Sequence, residues 1–248
     1  MRIWGVPIDT MSQEVFYQKI CHFLDEQKWH RIATVNPEFL LLAEKDVLFR
    51  EALLRADLRI ADGFGIVLAG LLHGERLHRF AGADLMEKIL EIANKKKLSV
   101  YLAINRDGLS SYEEIKNTLG KQYHYLKIDG NDFDVMQDSM LSLIPYPTPA
   151  SAELQRGEST IFLCNFGAPY QELFLAKLQD MSSSVRLAMG VGGSFDYLTG
   201  KIRRAPFIMR MMGLEWFWRL MWQPKRWRRI WRAVLVFPFR VIFATIQK

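Results

Sequence analysis

One carboxylate lies where an α/β sheet would put it to work. Leu58 to Ala61 read as a strand, Asp62 follows, and Gly63-Phe64-Gly65 turns into an apolar helix from Ile66 to Leu72. In open α/β sheets the ligand sits at the carboxyl ends of the strands. An acid there, flanked by glycines that let a ligand approach the backbone, is a candidate general base. Asp is also a favoured helix N-cap, and that plainer role stands beside the catalytic one. Other expected strand ends carry polar groups as well: Thr34 and Asn36, then Asn165 with Gly167-Ala-Pro-Tyr-Gln171-Glu172. Thr34 and Gln171 can serve as site residues, or can cap helices and bond loop backbone. A glycine-rich run, Gly190-Val-Gly192-Gly193-Ser-Phe-Asp196, follows a further strand. Its backbone N–H groups can meet a phosphate, or it is a tight turn. It lacks the Gly-Lys-Ser/Thr ending of a Walker loop and the third glycine of the dinucleotide fingerprint.

Such residues need a scaffold that lines up several strand ends. Arg2 to Asp9 reads as a short strand pair, and Ser12 starts a helix that ends near Gln27. Strands are expected at Arg31–Thr34, Leu58–Ala61, Leu98–Ala103, Tyr125–Ile128, Thr160–Cys164 and Val185–Val191. Helices are expected between them: from Asn36-Pro37, where Asn caps and Pro takes the first helical position, over Val47–Ala56, Leu85–Asn94, Tyr112–Leu119, Val135–Leu143 and Pro169–Gln179. Pro145, Pro147 and Pro149 mark a loop. Alternating strands and helices argue for an α/β fold, a Rossmann-like and mainly parallel sheet with helices on both faces.

Composition sets further bounds. The chain has 248 residues, half of them hydrophobic, which suits one large α/β domain with or without an appendage. Residues 201–248 hold twelve Lys or Arg and one acid, Glu215, a net +11. The first 200 residues hold 21 Lys or Arg against 26 Asp or Glu, a net −5. We therefore divide the chain into a catalytic domain, 1–200, and a basic helical appendage, 201–248, with an anionic partner of its own. Five of the seven tryptophans lie in that appendage, which Pro224 divides into two helical pieces. Trp227 with Trp231, and Arg228 with Arg232, recur one turn apart, the composition of an interfacial helix. Docking on the body or a homo-oligomer contact are the alternatives. No nucleic-acid-binding motif accompanies the charge, so nucleic acid is not expected as a partner.

No uncharged apolar run reaches membrane-spanning length, and Met1 to Thr10 reads as a strand, so no signal peptide is expected. Cys21 and Cys164 make no metal spacing and are expected as buried thiols. The five histidines show no ligand spacing. Asp132-Phe-Asp134 fits an Asp-x-Asp metal motif, but its Asp, Gly and Asn neighbours favour a solvated turn, and no metal is expected.

The order of these motifs resembles a known family. Thr34-Val-Asn36-Pro-Glu38, Ala61-Asp62-Gly63, Arg79 with Gly82-Ala-Asp84-Leu85, Gly167 to Glu172 and Gly190 to Asp196 are similar to the WecG/TagA/CpsF glycosyltransferases. Gly200-Lys-Ile-Arg-Arg204-Ala-Pro206, Gly213-Leu-Glu-Trp216, Arg219-Leu220 and Pro224-Lys-Arg226 continue the likeness, over roughly residues 1–232. The resemblance implies an inverting, metal-free transfer of N-acetylmannosamine or a related hexose. The donor is a UDP-sugar and the acceptor a polyprenyl-diphosphate-linked sugar, in synthesis of teichoic acid or another cell-surface polysaccharide. It implies a peripheral enzyme on the cytoplasmic face of the plasma membrane. It makes Asp62 the general base, with Thr34 and Gln171 beside it in the catalytic set. Asn36, Arg79 and Gly167 bind substrate, Gly192, Gly193 and Asp196 form the nucleotide edge, and Arg219, Arg226 and Arg229 close over the site. Phe243-Ala-Thr-Ile-Gln247 is an extra apolar end without an assigned role. The competing function class is a catalytically inactive membrane scaffold of a polysaccharide assembly complex.

Overall fold

The computed structural model describes residues 1–135, 160–180, 184–224 and 227–246, without the side chains of 244–246. A two-residue hairpin, β1 (Arg2–Ile3) and β2 (Val6–Pro7), precedes α1 (Gln13–Asp25), which Ser12 caps. Then follow β3 (His30–Val35), α2 (Pro37–Ala43), α3 (Val47–Leu54), β4 (Leu58–Ala61), α4 (Phe64–Leu72) and α5 (Gly82–Lys95). The second half continues with β5 (Ser99–Asn105), α6 (Tyr112–Gln122), β6 (Lys127–Phe133), β7 (Ile161–Cys164), α7 (Tyr170–Gln179), β8 (Leu187–Gly190) and the short α8 (Phe195–Leu198). The C-terminal arm comprises α9 (Phe207–Met211), α10 (Glu215–Trp222), α11 (Trp227–Trp231), a π-helical turn (Arg232–Val236) and α12 (Phe237–Ile246).

The α/β architecture is the expected one. β3 to β8 form a six-stranded sheet in the order β4-β3-β8-β7-β5-β6, and every pairing is parallel. Alternation along the strands sends neighbours to opposite faces. Ile32, Ile60, Leu102 and Leu163 pack with α1, α5 and α6 on one face. Ala33, Val35 and Ala61 pack with α2, α3 and α4 on the other, while Tyr101, Phe162 and Ala188 meet α7. β3, β7 and β8 are buried along their whole length, and apart from His30, Arg31 and Thr34 of β3 their side chains are apolar or glycine, as expected for strands covered on both faces.

The edge of the sheet corrects one expectation. The run from Asp129 is no solvated turn, because β6 continues through it to Phe133, paired with β5. An edge strand tolerates polar side chains that a central strand could not bury. Asp132 accepts the backbone N–H of Tyr112 at 3.0 Å, at the start of α6. Gly130 is required there, since a Cβ would stand 2.2 Å from Leu102 O. The expected helix beyond Val135 and the proline loop after it lie outside the described residues.

The arm splits more finely than into two pieces. A chain break in helicity does fall around Pro224, between α10 and α11. Pro238, by contrast, sits inside α12. Proline cannot donate to the preceding turn, and the wider π turn, where Phe237 N–H reaches Arg232 O, precedes it. Phe237 and Val241 are buried in the same core as Val35, Phe39 and Ile66. Full burial of a side chain such as Phe237 contributes about 1.5–3 kcal/mol, which fastens the arm to the body.

Candidate active site

A cavity of about 460 Å³ opens at the carboxyl ends of β3, β4, β5, β7 and β8. Thr34, Asn36, Asp62, Asn105, Asn165 and Gln171 line it from the sheet side, and Glu215, Trp216, Arg219 and Arg229 from the arm. The parallel register makes this convergence possible. Thr34 pairs with Ile60, which brings the ends of β3 and β4 level.

Asp62 does not cap the helix that follows. The N-cap of α4 is Gly63, at φ +92°, and no side chain bonds the helix start. Glycine adopts this left-handed conformation without strain, so the backbone turns away and leaves the carboxylate at the cavity wall. Asp62 N–H is tied to Val35 O at 2.7 Å. The N-terminus of α5 closes in from the side, where a Cβ at Gly82 would lie 3.6 Å from Asp62 Oδ2 and 3.7 Å from Thr34 Cγ2. Burial raises the Asp62 pKa to about 6, and the Glu215 carboxylate adds to the rise. Arg219, Arg79 and the Gly82 backbone N–H oppose it. The outcome is a carboxylate that is ionised at neutral pH yet basic enough to accept a proton.

Asn36 caps α2, its Oδ1 accepting from Phe39 N–H at 3.1 Å, and lines the cavity from that fixed position. Gln171 plays the backbone-bonding role. Its Oε1 accepts from Gly167 N–H at 3.1 Å and from Gly192 N–H at 3.2 Å, joining the loops after β7 and β8. Its Nε2 donates to Glu172 Oε1 at 3.3 Å, and a Cβ at Gly190 would stand only 2.3 Å from that nitrogen. Glu172 is fully buried facing Arg31, with 3.9 Å between Oε2 and Nη1, and burial raises its pKa. The Gly192 N–H is thus engaged within the protein rather than aimed at a ligand. Gly167 and Gly192 have φ of +77° and +49°, and they line the cavity together with Gly193 and Asp196. Asp196 is buried and accepts Ser110 Oγ–H at 2.9 Å.

The arm supplies the roof. Arg219 donates through Nε to the Tyr197 hydroxyl and lies 4.7 Å from the centre of that ring. Tyr197 in turn donates to Glu215 Oε1 at 3.4 Å. Arg229 donates to Glu38 Oε2 at 3.0 Å through Nε. Arg79 is not brought into the cavity. It occupies the neighbouring pocket, donates to Arg210 O at 2.7 Å and pairs with Glu215 at 3.5 Å, so it holds the arm. Arg226 lies outside the described residues. Asn105 and Tyr197 were not singled out from sequence, and Glu215 was noted there only as the arm's one acid and as part of a motif, without a role in the site. Asn105 carries a signal of the kind used elsewhere, a polar residue at a strand end. Its N–H donates to Asn165 Oδ1 at 2.6 Å, tying two strand ends together.

The geometry is a carboxylate facing a cavity roofed by arginines, an arrangement that can serve group transfer. Residues 1–248 match the Glycosyl transferase WecG/TagA/CpsF family over their whole length. The chain is 31% identical over 211 residues to the N-acetylglucosaminyldiphosphoundecaprenol N-acetyl-beta-D-mannosaminyltransferase of Bacillus subtilis (strain 168), covering 84% of this chain and 78% of that protein. It is 29% identical over 209 residues to the enzyme of the same name from Bacillus spizizenii (strain ATCC 23059 / NRRL B-14472 / W23), covering 84% and 77%. On this evidence the chain belongs to the WecG/TagA/CpsF family of glycosyltransferases.

Proposed function

We propose that this glycosyltransferase moves an N-acetylmannosamine-type sugar from a UDP-sugar to a polyprenyl-diphosphate-linked sugar; its relatives' names give the transferred sugar and the acceptor for them. The observation that carries the reading is Asp62, held at about pKa 6 on a cavity that Arg219 and Arg229 also line. The acceptor hydroxyl attacks the anomeric carbon while Asp62 takes its proton, and the bond from that carbon to the UDP oxygen breaks. A single displacement of this kind inverts the configuration. The electron pair leaves on the diphosphate, where guanidinium groups stabilise charge most effectively through charge-assisted hydrogen bonds. The reading therefore needs no metal ion. Asn36, Gly167, Gly193 and Asp196 shape the donor side, and Gln171 holds its loops in register.

The enzyme works at a membrane surface, on the cytoplasmic leaflet where nucleotide sugars are found. No helix among the described residues is long and apolar enough to cross a membrane. The arm instead exposes Phe207, Ile208, Met211, Trp222, Trp227 and Trp231, amid a net charge of +11. Tryptophans favour the headgroup boundary, and each basic group near an anionic surface contributes about 1 kcal/mol. The deciding experiment is a donor screen. UDP release is followed for a set of UDP-sugars, with and without a lipid-diphosphate-sugar acceptor. Acceptor-dependent release with one donor is expected. No release with any donor would support the inactive-scaffold reading instead.

A further inference from the structure

A second cavity, also about 460 Å³, lies between α4 and the arm helices. Phe64, Leu68, Leu214, Ile230, Ala233 and Val234 form its walls. Gly213, at φ +73°, allows the arm to approach α4 closely, since a Cβ there would fall 2.7 Å from Phe64 Cβ; Gly65 allows the same for α2, where a Cβ would fall 2.8 Å from Pro37 Cγ. The groove is continuous with the catalytic cavity, since Asn36, Asp62, Gly63, Trp216, Arg219 and Arg229 line both. Its charged groups cluster at that junction, where Arg229 holds Glu38. The lining also includes Met212, 61% exposed, which follows exposed Met211 in the chain.

We infer that this groove holds the first isoprenoid units of the lipid acceptor. The inference rests on the acceptor reading above and extends it to the hydrocarbon. The wall joins two chemistries: apolar side chains line the groove, and two arginines and the Asp62 carboxylate stand together where it meets the catalytic cavity. A polyprenyl diphosphate sugar presents the matching groups, hydrocarbon, diphosphate and hydroxyl. The volume falls within the usual range for ligand pockets, and the apolar lining with polar groups at one end is their usual composition. Hydrocarbon leaving the groove passes over the exposed apolar side chains of α9, the part of the arm proposed to meet the membrane.

The test compares two acceptors with the same diphosphate sugar, one on a long polyprenyl chain and one on a short alkyl chain. Leu68→Trp and Val234→Trp each place an indole in the groove. The ratio of kcat/KM, long over short, is expected to fall by about tenfold or more, the usual range for steric changes in an apolar pocket. An unchanged ratio in both variants would overturn the inference. Labelling of the unaltered protein avoids any folding defect of the variants. A polyprenyl diphosphate with a photoreactive group on its first isoprene unit should label 64–68 and 230–234, and labelling confined to other segments would overturn the proposal. Unaltered protein that transfers to neither acceptor would overturn the acceptor reading itself, and the labelled segments then show whether the groove still takes lipid.

Discussion

In the body Trp29 is 9% exposed, packed among Phe162, Phe174 and Leu178, whereas Trp222, Trp227 and Trp231 of the arm are each more than half exposed. The body buries its apolar groups against a sheet. The arm buries Phe237 and Val241 and turns much of its remaining apolar surface outward. Charge divides in the same sense, net −5 against +11, yet part of the arm's charge is used on the body. Arg204 pairs with Asp84 and Glu87, Arg229 with Glu38 and Arg240 with Glu44. Exposed pairs of this kind contribute little stability, so their main effect is orientation. The arm is thus held by a few buried side chains and oriented by ion pairs, while Trp222, Trp227 and Trp231 stay exposed.

The most severe way to break this comparison is to remove the arm. Truncation after Gly200 is expected to abolish both sedimentation with anionic vesicles and sugar transfer. It also uncovers the α2 and α4 surfaces that Phe237 and Val241 cover, so the melting temperature should fall. A truncated protein that still sediments and turns over would remove both roles of the arm.

Next in size is the base. Asp62→Asn should lower kcat by about two to four orders of magnitude, the usual contribution of a general base. It should also stabilise the fold at pH 7. The raised pKa means that the folded state binds more protons than the unfolded state between about pH 4 and 6, so stability falls as pH rises through that window. An uncharged residue at 62 escapes that loss. Near-normal turnover in the folded variant would exclude Asp62 as the base.

These two experiments also mark what sequence reading can reach. The strand–helix alternation and strand-end residues such as Asp62 were legible because period and turn chemistry are local. The arm's network was not, because it joins residues far apart in the chain. Nothing near Glu215 signals that it meets Arg79 and Tyr197. Arg79 shows the same limit from the other side, a motif residue whose guanidinium turns to the arm rather than to the cavity. The Asp129–Asp134 run misled because turn-forming residues also suit an edge strand.

A smaller effect is expected from the arm's surface. Replacing Trp222, Trp227 and Trp231 together by serine should weaken vesicle binding several-fold, with donor affinity retained, since aromatic insertion and charge both contribute. Vesicle titrations at low and high salt separate the two, and unchanged binding at high salt would show that these rings stay in water. The mildest probe is Glu215→Gln. Glu215 helps raise the Asp62 pKa, so the acid limb of the kcat/KM profile, near pH 6 in the unaltered protein, should move to lower pH. A limb that stays in place would mean that Glu215 has no part in raising the pKa.

The side chain of Gln171 has a consequence in the direction of its hydrogen bonds. Arg31 and the Gln171 amide both face Glu172 as donors, and Gln171 Oε1 receives two backbone N–H groups. Glutamate has the same shape and would accept those two bonds as well. It would, however, replace the donating amide by a second carboxyl group beside Glu172, whose pKa burial already raises. Position 171 is therefore specified by the donor that the amide supplies as well as by its shape, and the polarity of one amide joins two loops of the site.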